Sequence, residues 1–215
     1  MRLALATSMI GALVLGAVPH AVADDANADR ITIVALGDSL TAGYRLAPGK
    51  GFVPQLEAAL RDKGHDVAVT DAGVSGDTTS GGLARLDWSV GPDTDAVILE
   101  LGANDALRGL DPEVVRQNLT AILDRLDERG VPVLLAGMLA PPNLGEDYGA
   151  AFTSVFEDLA RRDVIYYPFF LDGVAADPSL NLDDGLHPTA EGVAVIVERI
   201  LPDVEALIAR VEAGH

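Results

Sequence analysis

Ile31-Thr32-Ile33-Val34-Ala35-Leu36 is a short, mostly apolar run, and Gly37-Asp38-Ser39-Leu40 follows it directly. A run that is apolar on both faces is typical of a parallel strand covered on both sides. Four further runs rich in Val, Ile or Leu occur at residues 66–70, 96–101, 131–137 and 164–168. The sequence therefore predicts a sheet of five parallel strands.

Segments with helical character alternate with these runs, near residues 52–63, 79–87, 112–129, 147–162 and 189–211. The third has well-marked ends. Asp111-Pro112-Glu113 supplies a cap, a proline at the first helical position and an acid in the first turn. Arg129-Gly130 supplies a basic last turn and a terminating glycine. Because strands and helices alternate, we expect an α/β fold, a three-layer α/β/α sandwich with helices on both faces of the sheet.

The chain has 215 residues, of which 49% are hydrophobic, enough for one well-buried domain. Its start has the pattern of an export signal: Arg2, an apolar stretch over 3–18, then Ala21-Val22-Ala23 as a small-x-small cleavage pattern. We expect residues 1–23 to be a cleavable signal peptide and residues 24–215 to be a single periplasmic or secreted domain. The apolar stretch is short for a membrane span, so no stable membrane insertion is expected after cleavage.

The formal net charge is −18 at pH 7. Lys and Arg form no cluster along the chain, so nucleic acid is not expected as a partner. The chain contains no cysteine, which excludes disulfides and thiolate zinc sites. We expect a monomer that acts on a small molecule, since packing on the sheet accounts for the apolar faces of segment 189–211.

Four segments with reactive side chains follow predicted strands, at residues 37–43, 72–79, 102–108 and 184–187. Ligands of open parallel sheets bind outside the carboxyl ends of the strands, so we expect these segments to meet at one edge. Ser39 follows the first strand, where a helix should begin, and is the candidate nucleophile. An N-cap serine is the ordinary alternative, and Ser75, flanked by glycines, is a rival nucleophile.

His187 is the candidate general base. His215 is the last residue, and His65 lies in a helix-to-strand turn at the opposite edge of the sheet. Asp184 can accept a hydrogen bond from His187 Nδ1 if the loop turns once, with the adjacent Asp183 as a competitor. Acyl transfer needs a hydroxyl nucleophile, an imidazole that takes its proton and an acid that holds the imidazole. The pattern therefore predicts a serine esterase.

An acyl-transfer site also needs fixed donors for the oxyanion. The candidates are the backbone N–H groups of Ser39 and Gly76 and the side-chain amide of Asn104, although Asn-Asp after a strand is also common in turns. Residues 47–51 lack the glycine and the Ser or Thr that a phosphate-binding loop requires. No Gly-x-Ser-x-Gly elbow surrounds Ser39, which argues against an ordinary α/β-hydrolase.

Four ordered blocks of the sequence resemble the SGNH (GDSL) hydrolase family, in particular its bacterial periplasmic thioesterase, lysophospholipase and arylesterase group. The blocks are residues 35–44, 71–79, 101–109 and 183–188. The resemblance spans essentially the whole chain after residue 23. The family pattern commonly has asparagine where this chain has Asp71, a difference for which we expect a structural effect at most.

The resemblance implies Ser39 as nucleophile, His187 as base and Asp184 as its partner. It implies an oxyanion hole formed by Ser39, Gly76 and Asn104. It also implies a flavodoxin-like sheet with strand order 2-1-3-4-5, and no metal or organic cofactor.

We expect hydrolysis of carboxylic esters and thioesters through an acyl-enzyme. Aryl esters and short- to medium-chain acyl groups are the favoured substrates, with lysophospholipid and acyl-CoA as further ones. Segment 139–145 and nearby apolar side chains are expected to form the acyl pocket; these side chains are Leu107, Leu110, Met138, Leu139 and Leu144. A polysaccharide O-acetyl esterase is the alternative, although aromatic residues are only 5% of the chain. A non-catalytic binding module is a third interpretation, disfavoured because the candidate nucleophile, oxyanion donor and base are all present.

Overall fold

A computed structural model of the protein describes residues 30–214. The predicted signal peptide, residues 1–23, lies outside the described residues, and the division into signal and single domain stays a prediction. Within residues 30–214, no helix combines the length and the apolar character needed to cross a membrane. The same part of the chain holds no group of three or more His, Asp or Glu side chains arranged to bind a metal ion.

Five strands form one sheet: β1 (Ile31–Gly37), β2 (Val67–Gly73), β3 (Ala96–Glu100), β4 (Val133–Ala136) and β5 (Ile165–Tyr167). Neighbouring strands pair in parallel in the order β2-β1-β3-β4-β5. The α/β class, the strand number and the strand order are therefore confirmed. The register pairs Gly37 with Gly73 on one side and with Glu100 on the other. The carboxyl ends of β1, β2 and β3 thus lie side by side.

Seven helices and one short 3-10 helix in the described residues connect or cover these strands. The helices are α1 (Phe52–Asp62), α2 (Thr79–Ala84), α3 (Leu86–Ser89), α4 (Ala103–Leu107), α5 (Pro112–Glu128), α6 (Glu146–Leu159) and α7 (Ala190–Glu212), and the 3-10 helix is Pro142–Leu144. Helix α1 packs on α7, and both contact the sheet, whereas α5 packs between α2 and α6. These two groups of helices form the outer layers of the predicted sandwich.

Helix α5 shows how its capping residue and its spacing of apolar residues determine where it begins and which face it buries. Asp111 Oδ1 accepts a hydrogen bond from Glu113 N at 2.9 Å, which caps the helix at the predicted place. Apolar residues recur every three or four positions and are fully buried: Val115, Leu119, Ile122 and Leu126. Burying each such side chain contributes about 1.5–3 kcal/mol. The helix is therefore held mainly by its apolar stripe.

Two local predictions are wrong. The helix expected over 79–87 is broken at Arg85, whose guanidinium turns away to donate to the carbonyl oxygens of Gly37 and Ala72, each at 2.8 Å. No helix begins after Ser39. The segment makes hydrogen-bonded turns instead, because Gly43 and Arg45 have positive φ angles of 67° and 61° that a right-handed helix cannot accommodate.

Candidate active site

The turn that follows β1 packs closely against Gly37 and the end of β3. Ala42 N donates to Asp38 O at 3.0 Å, and Tyr44 N donates to Ser39 O at 3.1 Å. A Cβ on Gly37 would lie 2.0 Å from Thr41 Oγ1 and 2.7 Å from Glu100 Oε2. Only glycine fits at this position, and it lets the turn fold back onto the end of β3.

The turn places Ser39 against the loop that precedes α7. Ser39 Oγ lies 2.9 Å from His187 Nε2, and His187 Nδ1 lies 2.9 Å from Asp184 Oδ2. With Nδ1–H donated to the carboxylate, Nε2 is free to accept the hydroxyl proton of Ser39. The structure therefore brings together the three side chains that the sequence proposed as nucleophile, base and acid.

The carboxylate of Asp184 is held by its own loop. Its Oδ1 accepts hydrogen bonds from Leu186 N at 2.9 Å and His187 N at 3.0 Å. These backbone hydrogen bonds, together with the imidazole, lower the pKa of Asp184 to about 2. Asp184 is therefore ionised at any pH at which an esterase works, and its orientation is fixed before a substrate arrives.

The other histidine and acid candidates lie in different environments. Asp183 forms an ion pair with Arg45 at 2.6 Å and does not contact the imidazole. His65 contacts Glu205 on α7 at 3.2 Å, far from the carboxyl ends of the strands, as expected. The Nε2 atom of His187 is within hydrogen-bond distance of the Ser39 hydroxyl, so the candidate base faces Ser39 and not the rival nucleophile Ser75.

The loop that carries the imidazole is closed by backbone contacts. Leu182 N donates to His187 O at 2.7 Å, and Asn181 bridges to Pro188. The ring of Tyr44 packs on the imidazole with ring centroids 4.5 Å apart. These contacts restrict the rotation of the imidazole, as a general base in a defined tautomer requires.

Asn104 lies in the first turn of α4, where its Nδ2 donates to Asp38 Oδ2 at 2.9 Å. One amide hydrogen is used in this bond, and the other is free to donate elsewhere. Gly76 has a φ of +85°, and its carbonyl oxygen accepts a hydrogen bond from Arg108 at 2.7 Å. The two remote oxyanion-donor candidates are thus both fixed by neighbours at the sheet edge that carries Ser39.

Two buried carboxyl groups behind the turn were not singled out as site residues by the sequence reasoning. Asp38 and Glu100 are both fully buried. Burial raises the pKa of Asp38 to about 6. Burial, and then repulsion from Asp38, raises the pKa of Glu100 well above its ordinary value. The signal that could have found Glu100 is a lone acid at the end of an otherwise apolar strand.

A cavity of about 140 Å³ opens beside Ser39 and His187. Its apolar wall is formed by Leu40, Ala103, Leu107, Met138, Leu139, Pro141, Leu171 and Leu186. Of the five side chains predicted for an acyl pocket, Leu107, Met138 and Leu139 line it. Leu110, which lies between α4 and α5, and Leu144, at the end of the 3-10 helix, are not among the lining residues.

Comparison with known proteins identifies the family and agrees with the fold. A model of the GDSL-like Lipase/Acylhydrolase family matches residues 35–195, and the chain belongs to this family. The arylesterase of Vibrio mimicus is 39% identical over 174 residues, which are 80% of this chain and 87% of the relative. The thioesterase 1/protease 1/lysophospholipase L1 of Escherichia coli (strain K12) is 35% identical over 179 residues, 82% of this chain and 85% of the relative.

A solved structure of AlinE4, an SGNH-hydrolase family esterase, matches with a TM-score of 0.71 and 45% sequence identity. The match covers 83% of this chain and 96% of AlinE4. Family, relatives and fold together make the protein an enzyme, a GDSL esterase.

Proposed function

We propose that Ser39 is the nucleophile of this esterase, with His187 as general base and Asp184 as the acid that holds the imidazole. The observation that carries the proposal is the pair of 2.9 Å contacts running from Ser39 Oγ through the imidazole to Asp184 Oδ2. The Ser39 hydroxyl proton moves to Nε2 as Oγ attacks the carbonyl carbon. Asp184 stabilises the imidazolium that forms.

The negative oxygen of the tetrahedral intermediate is bound by the backbone N–H groups of Ser39 and Gly76 and by the free amide hydrogen of Asn104. Each such donor is worth about 3–4 kcal/mol in the transition state. The imidazolium then gives its proton to the leaving alcohol or thiol, which departs and leaves an acyl group on Ser39. A water that His187 deprotonates releases the acid and restores the hydroxyl.

We propose small acyl groups and aryl esters as the preferred substrates, with thioesters and lysophospholipid as further ones. The cavity beside Ser39 has a volume of about 140 Å³ and an apolar wall. An apolar cavity of about 150 Å³ holds a benzene ring. A pocket of this size fits a short acyl chain or the aromatic ring of an aryl ester and favours them over long saturated chains.

The test is hydrolysis of p-nitrophenyl esters from acetate to palmitate by the protein and by its Ser39→Ala variant. We expect activity that is greatest on short and medium chains and almost absent in the variant. Full activity in Ser39→Ala would overturn the assignment of the nucleophile. Release of acetate from acetylated xylan or peptidoglycan, without hydrolysis of the p-nitrophenyl series, would favour the polysaccharide O-acetyl esterase.

Export is a further part of the proposal, with residues 1–23 as the cleaved signal and residues 24–215 as one periplasmic or secreted domain. The support is the apolar stretch and the small-x-small pattern at Ala21-Val22-Ala23. Expression of the full chain in a bacterium and mass determination of the product should give a protein that begins at Asp24. An unprocessed product confined to the cytoplasm would contradict the proposal.

A further inference from the structure

Glu100 is an acid in an unusual position, at the end of the central strand β3 and directly behind the turn that carries Ser39. It is fully buried. Its Oε2 accepts hydrogen bonds from Asp38 N at 3.3 Å and from Thr41 Oγ1 at 2.8 Å. Its Oε1 has no hydrogen-bond partner among residues 30–214. One carboxyl oxygen therefore holds the turn by two hydrogen bonds, while the other is buried without a hydrogen-bond partner in this part of the chain.

The surroundings of Glu100 favour its neutral form. A buried carboxylate is stable only when it is paired and fully hydrogen-bonded, and here one oxygen lacks a partner and the nearby carboxyl group is Asp38. Burial and the Asp38 charge both act to raise the pKa of Glu100. A proton on Oε1 removes the buried charge and leaves Oε2 as the accepting oxygen.

We propose that Glu100 is a positioning residue of the active site, and that it fixes both Ser39 and Asn104 as a neutral carboxylic acid. This inference rests on the proposed function, since it assumes that Ser39 is the nucleophile and Asn104 an oxyanion donor. Glu100 touches neither substrate nor reacting atoms. It acts through Asp38 and Thr41, the residues immediately before Ser39 and two positions after it.

Hydrogen bonds connect Glu100 to the backbone around Ser39 and, through Asp38, to the side chain of Asn104. On one branch, Glu100 Oε2 holds the Asp38 N–H and the Thr41 hydroxyl, and so sets the backbone on either side of Ser39. On the other branch, the Asp38 side chain accepts from Asn104 Nδ2 at 2.9 Å. A shift of Glu100 therefore displaces the nucleophile and an oxyanion donor together.

The close packing at Gly37 restricts the movement of the Glu100 carboxyl group relative to the turn that carries Ser39. Because the Cα of Gly37 faces Glu100 and Thr41 with no room for a Cβ, the carboxyl group cannot move toward β1. A misplacement of about 1 Å at reacting groups can lower a rate about a hundredfold. Loss of the accepting oxygen is therefore expected to appear in kcat more than in KM.

The experiment compares Glu100→Ala and Glu100→Gln in the full protein after export. Glutamine has the shape of the neutral acid and an oxygen that can replace Oε2, but it cannot ionise. Kinetics with p-nitrophenyl butyrate are measured well below the melting temperature and expressed per active site titrated with a fluorophosphonate. We expect Glu100→Ala to lower kcat about 10- to 100-fold with KM changed little. We expect Glu100→Gln to recover most of that loss.

Val97→Ala is the matched control, because Val97 is on the same strand, is equally buried and pairs with Val34 and Val133 inside the sheet. It should lower the melting temperature and leave kcat per titrated site as in the wild type. If Glu100→Ala does not fold, Thr41→Val provides the second variant, since it removes one of the two donors to Oε2. Its kcat should fall several-fold.

Two results would overturn the inference about Glu100. An unchanged kcat per titrated site in Glu100→Ala, or in Thr41→Val where that variant is used, means that Glu100 is merely structural. A loss in Glu100→Gln as large as in Glu100→Ala means that an ionised carboxylate is required. Failure of the fluorophosphonate to label the wild type, or full activity in Ser39→Ala, overturns the proposed function itself, so the two failures are distinguishable.

Discussion

Asp183 and Asp184 are adjacent in the chain and both lie near Arg45, at 2.6 and 3.9 Å, but the imidazole of His187 hydrogen-bonds to Asp184. Asp184 accepts hydrogen bonds from the His187 ring and from two backbone N–H groups of its own loop. Asp183 instead pairs with Arg45, and its side chain is largely exposed. The sequence left the two acids as competitors, whereas the distances favour Asp184 as the partner of the imidazole.

Asp184→Asn is expected to lower kcat about 10³- to 10⁴-fold, because an amide neither fixes the required tautomer nor stabilises the imidazolium. Asp183→Asn is the matched control. It removes an exposed ion pair, which contributes little in water, so kcat should change by less than about threefold. Both variants are measured by p-nitrophenyl acetate hydrolysis at pH 7.5. An equal loss in the two variants would contradict the assignment.

Asp38→Asn is expected to lower kcat about 10- to 100-fold. Both oxygens of Asp38 are acceptors, one for Leu40 N at 3.0 Å and the other for Asn104 Nδ2 at 2.9 Å. An asparagine has a single accepting oxygen, so its NH₂ group must face one of these donors. Steady-state kinetics on short p-nitrophenyl esters provide the measurement.

The control for this substitution is Asp71→Asn at the end of β2. Only one oxygen of Asp71 is used within its turn, as an acceptor from Gly73 N at 2.8 Å, and an asparagine oxygen can replace it. We expect kcat to stay within about twofold, since a surface substitution that keeps its hydrogen bond has little effect. A large loss here would mean that any amide at this edge disturbs the site.

The buried charge of Asp38 also predicts a pH dependence of stability. Its folded-state pKa is raised to about 6, so between pH 5 and 7 the folded protein holds a proton that the unfolded chain has lost. This contribution to the free energy of unfolding is present at low pH and is lost as pH rises through about 6. The stability of the wild type relative to Asp38→Asn should fall by about 1 kcal/mol between pH 5 and pH 7. Urea unfolding at both pH values measures it, and a difference that rises with pH has the wrong sign.

Leu171 is expected to limit the length of the acyl chain. It lines the cavity beside Ser39, so Leu171→Ala lengthens the pocket. Since one methylene in an apolar pocket changes a rate about tenfold, the ratio of kcat/KM for octanoate to that for acetate should rise by about that factor. Leu144→Ala, outside the lining, is the control. The interpretation fails if both variants shift the ratio equally.

Arg45 adopts a left-handed backbone conformation with a φ of 61°, although it carries a side chain. Arg45→Gly should be more stable than Arg45→Ala by about 1 kcal/mol, because only glycine adopts this conformation without strain. Ala176 has a φ of 64°, so Ala176→Gly repeats the comparison at a position whose side chain forms no ion pair. Urea unfolding midpoints compare the variants, and a less stable Arg45→Gly would exclude strain at this position.

The fold was largely predictable because strands buried on both faces leave an apolar pattern that few other elements share. The alternation of strands and helices predicted the class, and the resemblance to a family predicted the strand order. Helix α3 and the break at Arg85 were missed because a single arginine reaching two carbonyl oxygens leaves no periodic signal. Turns after β1 were mistaken for a helix because positive φ at Arg45 is not encoded by its residue type.

The candidate site was predictable where residue identity and chemistry coincide. Ser39, His187 and Asn104 stand out as the polar side chains that follow strands. The choice between Asp183 and Asp184 required coordinates, because both are compatible with one loop turn. Glu100 was missed because its role depends on what lies behind the turn. Burial of that kind emerges only when β1 and β3 are paired in register.

The 2.9 Å contact between Ser39 and His187 joins residues that are 148 positions apart in the chain. During synthesis, the segment with the nucleophile is therefore complete long before the imidazole is added. A polypeptide that stops short of residue 187 contains the proposed nucleophile without its proposed base, and we expect it to leave the esters around it intact. Hydrolysis therefore has to wait until residue 187 has been added and its loop has folded against the turn that follows β1.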